Sequence, residues 1–201
     1  MSAIFEVRNL KRSFGGLAVT NDVSLSMAPG DRVALIGPNG AGKTTFVNLV
    51  TGNLKPDAGE VRIGGETVTN VDAIGRVRRG LVRSFQVTRL FQDMTPAEHV
   101  ALAVLQRDGR AGRMFGNFLA MPGVMAEAGS LLGKQALADL PDDLAVLMIE
   151  HDMDLVFRFA KRVIVLAAGT VIFDGSPADV TRDPRVREAY LGSYADAGSA
   201  A

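Results

Sequence analysis

The sequence predicts an α/β fold: a parallel sheet flanked by helices, with a small antiparallel sheet at the N-terminus. Two continuous apolar runs, "RVALI" at 32–36 and "LAVLMIE" at 144–150, each lead into a segment of helical character. Such runs are typical of strands that are buried on both faces of a parallel sheet. Apolar and polar positions alternate in the first thirty residues, which indicates strands with one solvent-facing side. Strands alternating with helices around the two apolar runs favour a parallel α/β core.

Turn and cap residues define the predicted elements of the first half. Glycines and a proline mark turns at 15–16 and 28–31, and Gly52 is a plausible end for the helix that follows "RVALI". The remaining expectations are strands at 3–10 and 21–27, two short strands within 54–68, a basic helix at 71–80 and a strand at 81–86.

The second half is predicted to be mainly helical before the second apolar strand. A helical lobe spans about 87–140, a helix follows the strand 144–150, and a hairpin turns at Gly169. Ser176 and Asp183 each precede a proline, which is the arrangement of an N-cap followed by the first helical position. We expect one domain over 1–192 and a disordered tail at 193–201.

The composition excludes several classes of protein. An apolar fraction of 47% is enough for a sizeable core, and 22 basic residues balance 22 acidic ones, so no overall charge favours nucleic acid or an anionic membrane. The absence of cysteine excludes a disulfide scaffold and thiolate metal sites. The apolar segment 114–134 contains Gly, Pro and Asn as well as Glu127, which argues against a membrane-spanning helix.

The stretch "GPNGAGKT" at 37–44 fits the pattern G-x-x-x-x-G-K-[ST] between a predicted strand and a predicted helix. Its glycines let backbone N–H groups surround phosphates, Lys43 would reach the β- and γ-phosphates, and Thr44 would offer its hydroxyl to Mg²⁺. The alternative is an ordinary strand–turn–helix junction, but the position of the motif favours binding of a nucleoside triphosphate. The expected contact residues are Gly37, Pro38, Asn39, Gly40, Ala41, Gly42, Lys43, Thr44 and Thr45.

Together with "VRSFQVTRLF" and "LMIEHDMDLV", this loop resembles the ATP-binding subunits of ABC transporters. The resemblance implies that Gln86 touches Mg²⁺ and senses the membrane subunit, that His151 contacts the γ-phosphate, and that Phe14 stacks on adenine. An ordinary surface glutamine, a histidine at a strand end without a ligand, and an aromatic residue packed near a turn are the respective alternatives.

The segments "SFQVTRLF", "IEHDMDLVF" and "PADVTRDPRVREAYLG" are similar to the branched-chain amino acid or urea uptake group. The resemblance implies a P-loop NTPase core with a reduced helical lobe, and ATP and Mg²⁺ as ligands. It also implies two permease subunits, a second ATP-binding subunit and, indirectly, a periplasmic or extracellular solute-binding protein as partners. The expected location is the cytoplasmic face of the cell membrane, and no nucleic acid is expected.

Two motifs of that family are not found. The family's signature, near "LSGGQ", and its Walker B strand, which ends in Asp-Glu, belong between Gln86 and His151, which are only 65 positions apart. That interval is short by roughly fifty residues. The chain contains no Asp-Glu pair, and "SLLGKQ" at 130–135 echoes the signature only faintly. The sequence therefore supplies no obvious general base for hydrolysis.

Three functions remain open on the sequence. The first is the ATP-binding subunit of an uptake transporter for branched-chain amino acids or related solutes. The second is a degenerate or internally deleted domain of this type that binds ATP without hydrolysing it. The third is another P-loop enzyme such as a kinase or a GTPase, and both the missing N-K-x-D motif and the presence of "EHD" at 150–152 count against it.

Overall fold

The computed structural model describes residues 3–83, 95–107, 141–150 and 153–190. The chain divides into two compact units, Met1–Arg83 with Asp142–Ala201 and Ser84–Pro141. The strands are β1 (Phe5–Phe14), β2 (Leu17–Met27), β3 (Arg32–Ile36), β4 (Ala58–Ile63), β5 (Glu66–Thr67), β6 (Val146–Ile149), β7 (Arg162–Ala167) and β8 (Thr170–Gly175). The helices are α1 (Lys43–Val50), α2 (Ala73–Val77), α3 (Pro96–Arg107), α4 (Met153–Phe159) and α5 (Pro177–Val180), followed by helical residues 184–190.

The antiparallel sheet has the strand order β2-β1-β4-β5. Its apolar residues alternate with exposed polar ones, so that Val7, Val23, Leu25 and Val61 are buried on one face. The predicted strands of the first thirty residues are thus confirmed, and the two short strands predicted within 54–68 join the same sheet.

The second sheet has the order β6-β3-β7-β8, with β6, β3 and β7 parallel and β8 antiparallel to β7. In register, Leu35 pairs with Ile149 and Ile36 pairs with Val165. Because β6 and β3 are parallel, the residues that follow each of them, Glu150 and Gly37, lie at the same edge of the sheet. The predicted parallel α/β core is confirmed.

Apolar side chains cover both faces of the parallel sheet. On one face Val33 and Leu35 belong to the core that contains Phe46 of α1 and the buried side of the antiparallel sheet. On the other face Ala34 and Ile36 pack with residues of α4, α5 and the C-terminal helix. This two-sided burial explains why "RVALI" shows no alternation.

The cap residues predicted for the C-terminal segment lie where expected, and one of them makes a different bond. Ser176 is the N-cap of α5, but its hydroxyl bonds to the carboxylate of Asp179 at 2.6 Å and makes no cap bond to the backbone. Asp183 accepts hydrogen bonds from the N–H groups of Arg185 and Val186, as an N-cap carboxylate does.

The strand predicted for 81–86 is wrong over its described residues, since 81–83 form no strand. The Leu81 N–H bonds to the Arg76 carbonyl at 3.1 Å, and the Gly80 N–H bonds to the Val77 carbonyl at 3.0 Å. With Gly80 at φ +91, these two bonds form the Schellman motif that ends a helix. The Leu81 N–H therefore caps α2 and is not available for a strand ladder.

Where the Walker B strand is missing from the sequence, β6 forms the edge of the described sheet and pairs with β3 alone. Its four residues, Val146–Ile149, are all half-buried. Within the predicted lobe, 96–107 is helical as expected, while 87–94 and 108–140 lie outside the described residues. The predicted tail at 193–201 also lies outside them. None of the described helices is long and apolar enough to cross a membrane.

Candidate nucleotide-binding site

The motif at 37–44 forms the connection between the buried strand β3 and helix α1. Gly42 is the N-cap of α1 with φ +97, and its carbonyl accepts the first helical hydrogen bond, from the Phe46 N–H at 2.8 Å. The N–H groups of the first helical turn have no acceptor within the helix. They therefore add to the positive end of the helix dipole at the point where phosphates are expected.

Neighbouring backbone leaves no room for a side chain at two of the loop's glycines. A Cβ on Gly37 would lie 2.0 Å from the Leu166 carbonyl oxygen, and a Cβ on Gly42 would lie 2.3 Å from that of Val19. Both distances are far below van der Waals contact. The sequence motif predicts these glycines from phosphate binding, whereas the structure shows that β7 and β2 exclude any side chain here.

Lys43 lies inside the loop. It is 8% exposed, and its Nζ donates to the carbonyl oxygens of Gly37 at 2.6 Å and Pro38 at 2.9 Å. Burial lowers the pKa of Lys43 from its usual value, because desolvation disfavours the charged form. An ammonium group held among carbonyls and amide donors is a suitable partner for a phosphate.

The remaining loop residues offer backbone and one exposed hydroxyl. Asn39, Gly40 and Thr44 are exposed, Pro38 and Thr45 are half-buried, and Ala41 is buried. The Thr44 hydroxyl in the first turn of α1 suits Mg²⁺, which prefers oxygen ligands and usually keeps waters and substrate phosphates in its coordination sphere. No cluster of three or more His, Cys, Asp or Glu that could hold a metal occurs among the described residues.

Phe14, expected to stack on adenine, is 48% exposed at the end of β1. The Arg12 guanidinium lies over its ring, 4.9 Å from the centroid, and Asp57 accepts from Arg12 at 2.7 Å and from the Ser13 N–H at 2.7 Å. The ring is therefore not packed into the core. Its stacking on adenine stays a prediction, and packing at the surface against Arg12 stays the alternative.

The two expected catalytic residues, Gln86 and His151, lie outside the described residues. The chain neighbour of His151, Glu150, is half-buried and directly follows β6. Through the pairing of Leu35 with Ile149, Glu150 lies level with Ile36, one residue before the phosphate loop. The segment "EHD" at 150–152 therefore starts at the same end of the sheet as the phosphate loop.

Tyr190, in the C-terminal helix, contacts Gly37, the first residue of the phosphate loop, and the sequence did not single it out. Its half-buried ring packs against the core that contains Ile36. Burial raises the pKa of Tyr190, and a hydrogen bond from the Gly37 N–H to its hydroxyl opposes this rise. The only hint in the sequence was that "AYLG" at 189–192 is similar to the uptake group. That similarity assigned no role to the tyrosine.

Arg76 was likewise missed, because a short basic helix predicts solvated arginines. Its side chain is 1% exposed and donates to the carbonyls of Leu49 and Val50, both at 2.7 Å, and of Val71 and Thr69, both at 2.9 Å. Leu49 and Val50 form the last turn of α1, so this cation binds the negative end of the phosphate-loop helix.

A parallel sheet, a glycine loop after its central strand and a buried lysine opening the next helix define the P-loop NTPase fold. The family model described as ABC transporter matches residues 20–154. A second, described as branched-chain amino acid ATP-binding cassette transporter, matches residues 170–196. The chain belongs to the ABC transporter family, whose ATPases bind nucleotide.

Curated relatives cover nearly the whole chain. It is 29% identical to the high-affinity branched-chain amino acid transport ATP-binding protein BraF of Pseudomonas aeruginosa, over 249 residues that span 94% of this chain and 98% of that protein. The same figures hold for LivG of Escherichia coli, a protein of the same description. Because the alignment is longer than the 201 residues of this chain, these relatives contain residues that have no counterpart here.

Solved structures show the same fold. A nucleotide-free ATP-binding cassette from an ABC transporter superposes with a TM-score of 0.69 at 24% identity, covering 94% of this chain and 99% of that one. An ATP-binding cassette of an ABC transporter in its ADP conformation gives a TM-score of 0.66 at 21% identity, covering 96% and 100%. The predicted fold class is therefore confirmed.

Proposed function

We propose that this chain is the ATP-binding subunit of an importer for branched-chain amino acids or related solutes. The observation that carries the proposal is the complete phosphate loop, in which Lys43 is held inside a glycine-rich backbone turn at the start of α1. Such a loop supplies amide donors, a cation and a helix N-terminus to one triphosphate.

In the proposed complex each part of the loop has one task. The N–H groups at the start of α1 bind the phosphate oxygens, and the Lys43 ammonium exchanges its bonds to the Gly37 and Pro38 carbonyls for phosphate oxygens. The exposed Thr44 hydroxyl would hold Mg²⁺, which neutralises charge on the phosphates when bound. Phe14 offers an exposed ring to the adenine.

The proposed solute class rests on the C-terminal segment. Overall identity does not select a solute, since a ribose import ATP-binding protein, RbsA 1 of Rhizobium meliloti, is 30% identical over 93% of this chain and 47% of its own length. The family model that matches residues 170–196 is described as a branched-chain amino acid ATP-binding cassette transporter, and this description supports the proposed solute class. We therefore assign branched-chain amino acids or related solutes.

The proposed partners are two permease subunits, a second ATP-binding subunit and, indirectly, a solute-binding protein. With these partners, the proposed location of the chain is the cytoplasmic face of the cell membrane. BraF and LivG, which the chain covers almost completely, are described as transport ATP-binding proteins, and this supports the assignment. Gln86, expected to sense the membrane subunit, is the proposed contact point between nucleotide and permease.

Hydrolysis by the isolated chain is not part of the proposal. Phosphoryl transfer requires a positioned water, a group to orient it and metal charge on the phosphates. The chain has no Asp-Glu pair, so we propose no general base. Gln86 and His151 remain the proposed contacts to Mg²⁺ and to the γ-phosphate. This missing pair is also the observation that favours the second candidate, a domain that binds ATP without turnover.

Calorimetric titration with Mg–ATP tests the binding proposal. We expect Lys43→Met to weaken binding by about 10- to 150-fold, the equivalent of about 1.5–3 kcal/mol for a charge-assisted contact. Lys161→Met is the matched control, because Lys161 is exposed and precedes β7 at the opposite end of the parallel sheet. Equal affinities for the wild type and Lys43→Met would reject the site.

A further inference from the structure

The turn between β7 and β8 lies between the phosphate loop and β2. The Gly169 N–H donates to the Ala41 carbonyl at 3.1 Å, and the Gly169 carbonyl accepts from the Asn21 N–H at 2.8 Å. Both polar backbone groups of one buried glycine thus connect the loop to the β1–β2 hairpin.

The contact is made by backbone alone. A Cβ on Gly169 would lie 2.7 Å from the Val19 carbonyl oxygen and 2.9 Å from the Val19 carbonyl carbon. The same Val19 oxygen also limits Gly42 of the phosphate loop, where a Cβ would approach it to 2.3 Å. The Val19 carbonyl therefore faces two glycines, Gly42 of the phosphate loop and Gly169 of the β7–β8 turn.

The hairpin held in this way through β2 carries the proposed adenine contact, Phe14, at the end of β1. In the β1–β2 hairpin, Phe14 pairs with Leu17 and Arg12 pairs with Thr20. Phe14 therefore lies near Val19 and Asn21 in the same hairpin. A shift of the hairpin relative to the phosphate loop would change the separation between the base contact and the phosphate contacts.

We infer that Gly169 is a positioning residue that sets the distance between the phosphate loop and Phe14, and thereby the preference for a nucleoside triphosphate over a bare polyphosphate. The inference rests on the proposed function. An added Cβ would point at Val19, so it would displace the hairpin. The loop would keep its internal bonds from Lys43 to Gly37 and Pro38.

The chain contains a matched control. The turn between β4 and β5 also has two residues, Gly64 and Gly65 at φ +57 and +84, while Ala168 and Gly169 have φ +46 and +77. A Cβ on Gly65 would meet no described atom within 4 Å. Gly65→Ala therefore imposes the same left-handed strain as Gly169→Ala without the contact to Val19.

The test measures dissociation constants for Mg–ATP and for magnesium tripolyphosphate, which carries the phosphates without a base. For Gly169→Ala we expect about a tenfold loss for ATP and about a twofold loss for tripolyphosphate. Both constants of Gly65→Ala should stay within about twofold of wild type. Equal losses for the two ligands, or no loss for ATP, would overturn the inference.

A second pair of variants separates the contact from backbone strain. Asparagine tolerates left-handed φ better than alanine, so Gly169→Asn keeps the clash with Val19 and Gly65→Asn is its control. The expected pattern is the same as for the alanine pair. If both Gly169 variants fail to fold while both Gly65 variants fold, the turn is a folding element and the positioning role is rejected.

If the wild type binds neither ligand, the proposed function is rejected, and hydrogen exchange still tests whether Gly169 positions the hairpin. Amide hydrogen exchange of the free proteins should then be faster over 12–21 in Gly169→Ala than in Gly65→Ala. Faster exchange there supports the positioning of the hairpin, and equal exchange in the two variants contradicts it.

Discussion

Replacing Arg76 with methionine removes a buried cation and keeps most of its length. Four carbonyl groups, those of Leu49, Val50, Thr69 and Val71, lose the Arg76 donor. The Leu49 carbonyl keeps the Gly52 N–H at 3.3 Å. Each unsatisfied buried acceptor costs about 1–3 kcal/mol. Part of this loss is offset, because methionine removes the unfavourable desolvation of the buried guanidinium. The same desolvation lowers the pKa of Arg76. We expect a net destabilisation of about 3–5 kcal/mol, which resembles the removal of one partner from a buried ion pair.

Thermal and urea unfolding of the purified protein measure this effect. For a chain of this length about 1 kcal/mol corresponds to about 2–4 °C, so the unfolding temperature should fall by about 6–20 °C. Arg79→Met is the matched control, because Arg79 is three residues away, exposed and paired with Glu66 at 3.3 Å. Its loss should cost about 1 kcal/mol or less. An Arg76→Met variant within about 1 kcal/mol of wild type would refute the reasoning.

Three further predictions concern the residues around the loop. Because burial lowers the pKa of Lys43, its side chain should lose its proton, and ATP affinity should fall, at a lower pH than for an exposed lysine with a pKa of about 10.4. Lys43→Arg should remove this fall, and identical affinity–pH profiles for the two proteins would contradict the prediction. Ala168→Asn should stabilise the protein by about 0.5–1 kcal/mol in thermal unfolding, because asparagine suits the turn's left-handed φ; destabilisation would count against the turn geometry. Tyr190→Phe removes the acceptor of the Gly37 N–H and should cost about 1 kcal/mol in the same assay; an unchanged stability would contradict the contact.

The sequence predicts the parts of the fold whose signals are local. The apolar run 32–36 and the motif after it locate β3, the phosphate loop and the start of α1, because strand burial and phosphate binding each need a particular order of neighbouring residues. The hairpin at Gly169 was predictable for the same reason, since a glycine between two apolar runs is a local signal.

The contacts that were missed depend on residues far apart in the chain. The acceptors of Arg76 include Leu49 and Val50, 27 and 26 positions away, so no local pattern distinguishes it from the exposed arginines of its helix. The contact of Tyr190 with Gly37 likewise joins residues that are far apart in the chain. The strand prediction for 81–86 was wrong at its start because the Leu81 N–H caps the preceding helix. The apolar character of Leu81 does not reveal this hydrogen bond.

Phosphate release measured beside ATP binding, on the purified chain alone, tests most directly the claim that the binding site is complete and the hydrolytic site is not. Loss of a general base and its metal ligand lowers turnover by roughly 10²–10⁴-fold or more. The account predicts saturable Mg–ATP binding that depends on Lys43, with phosphate release close to the uncatalysed background. Robust turnover that is abolished by His151→Ala or Glu150→Ala would contradict it, because the segment after β6 would then supply the missing base.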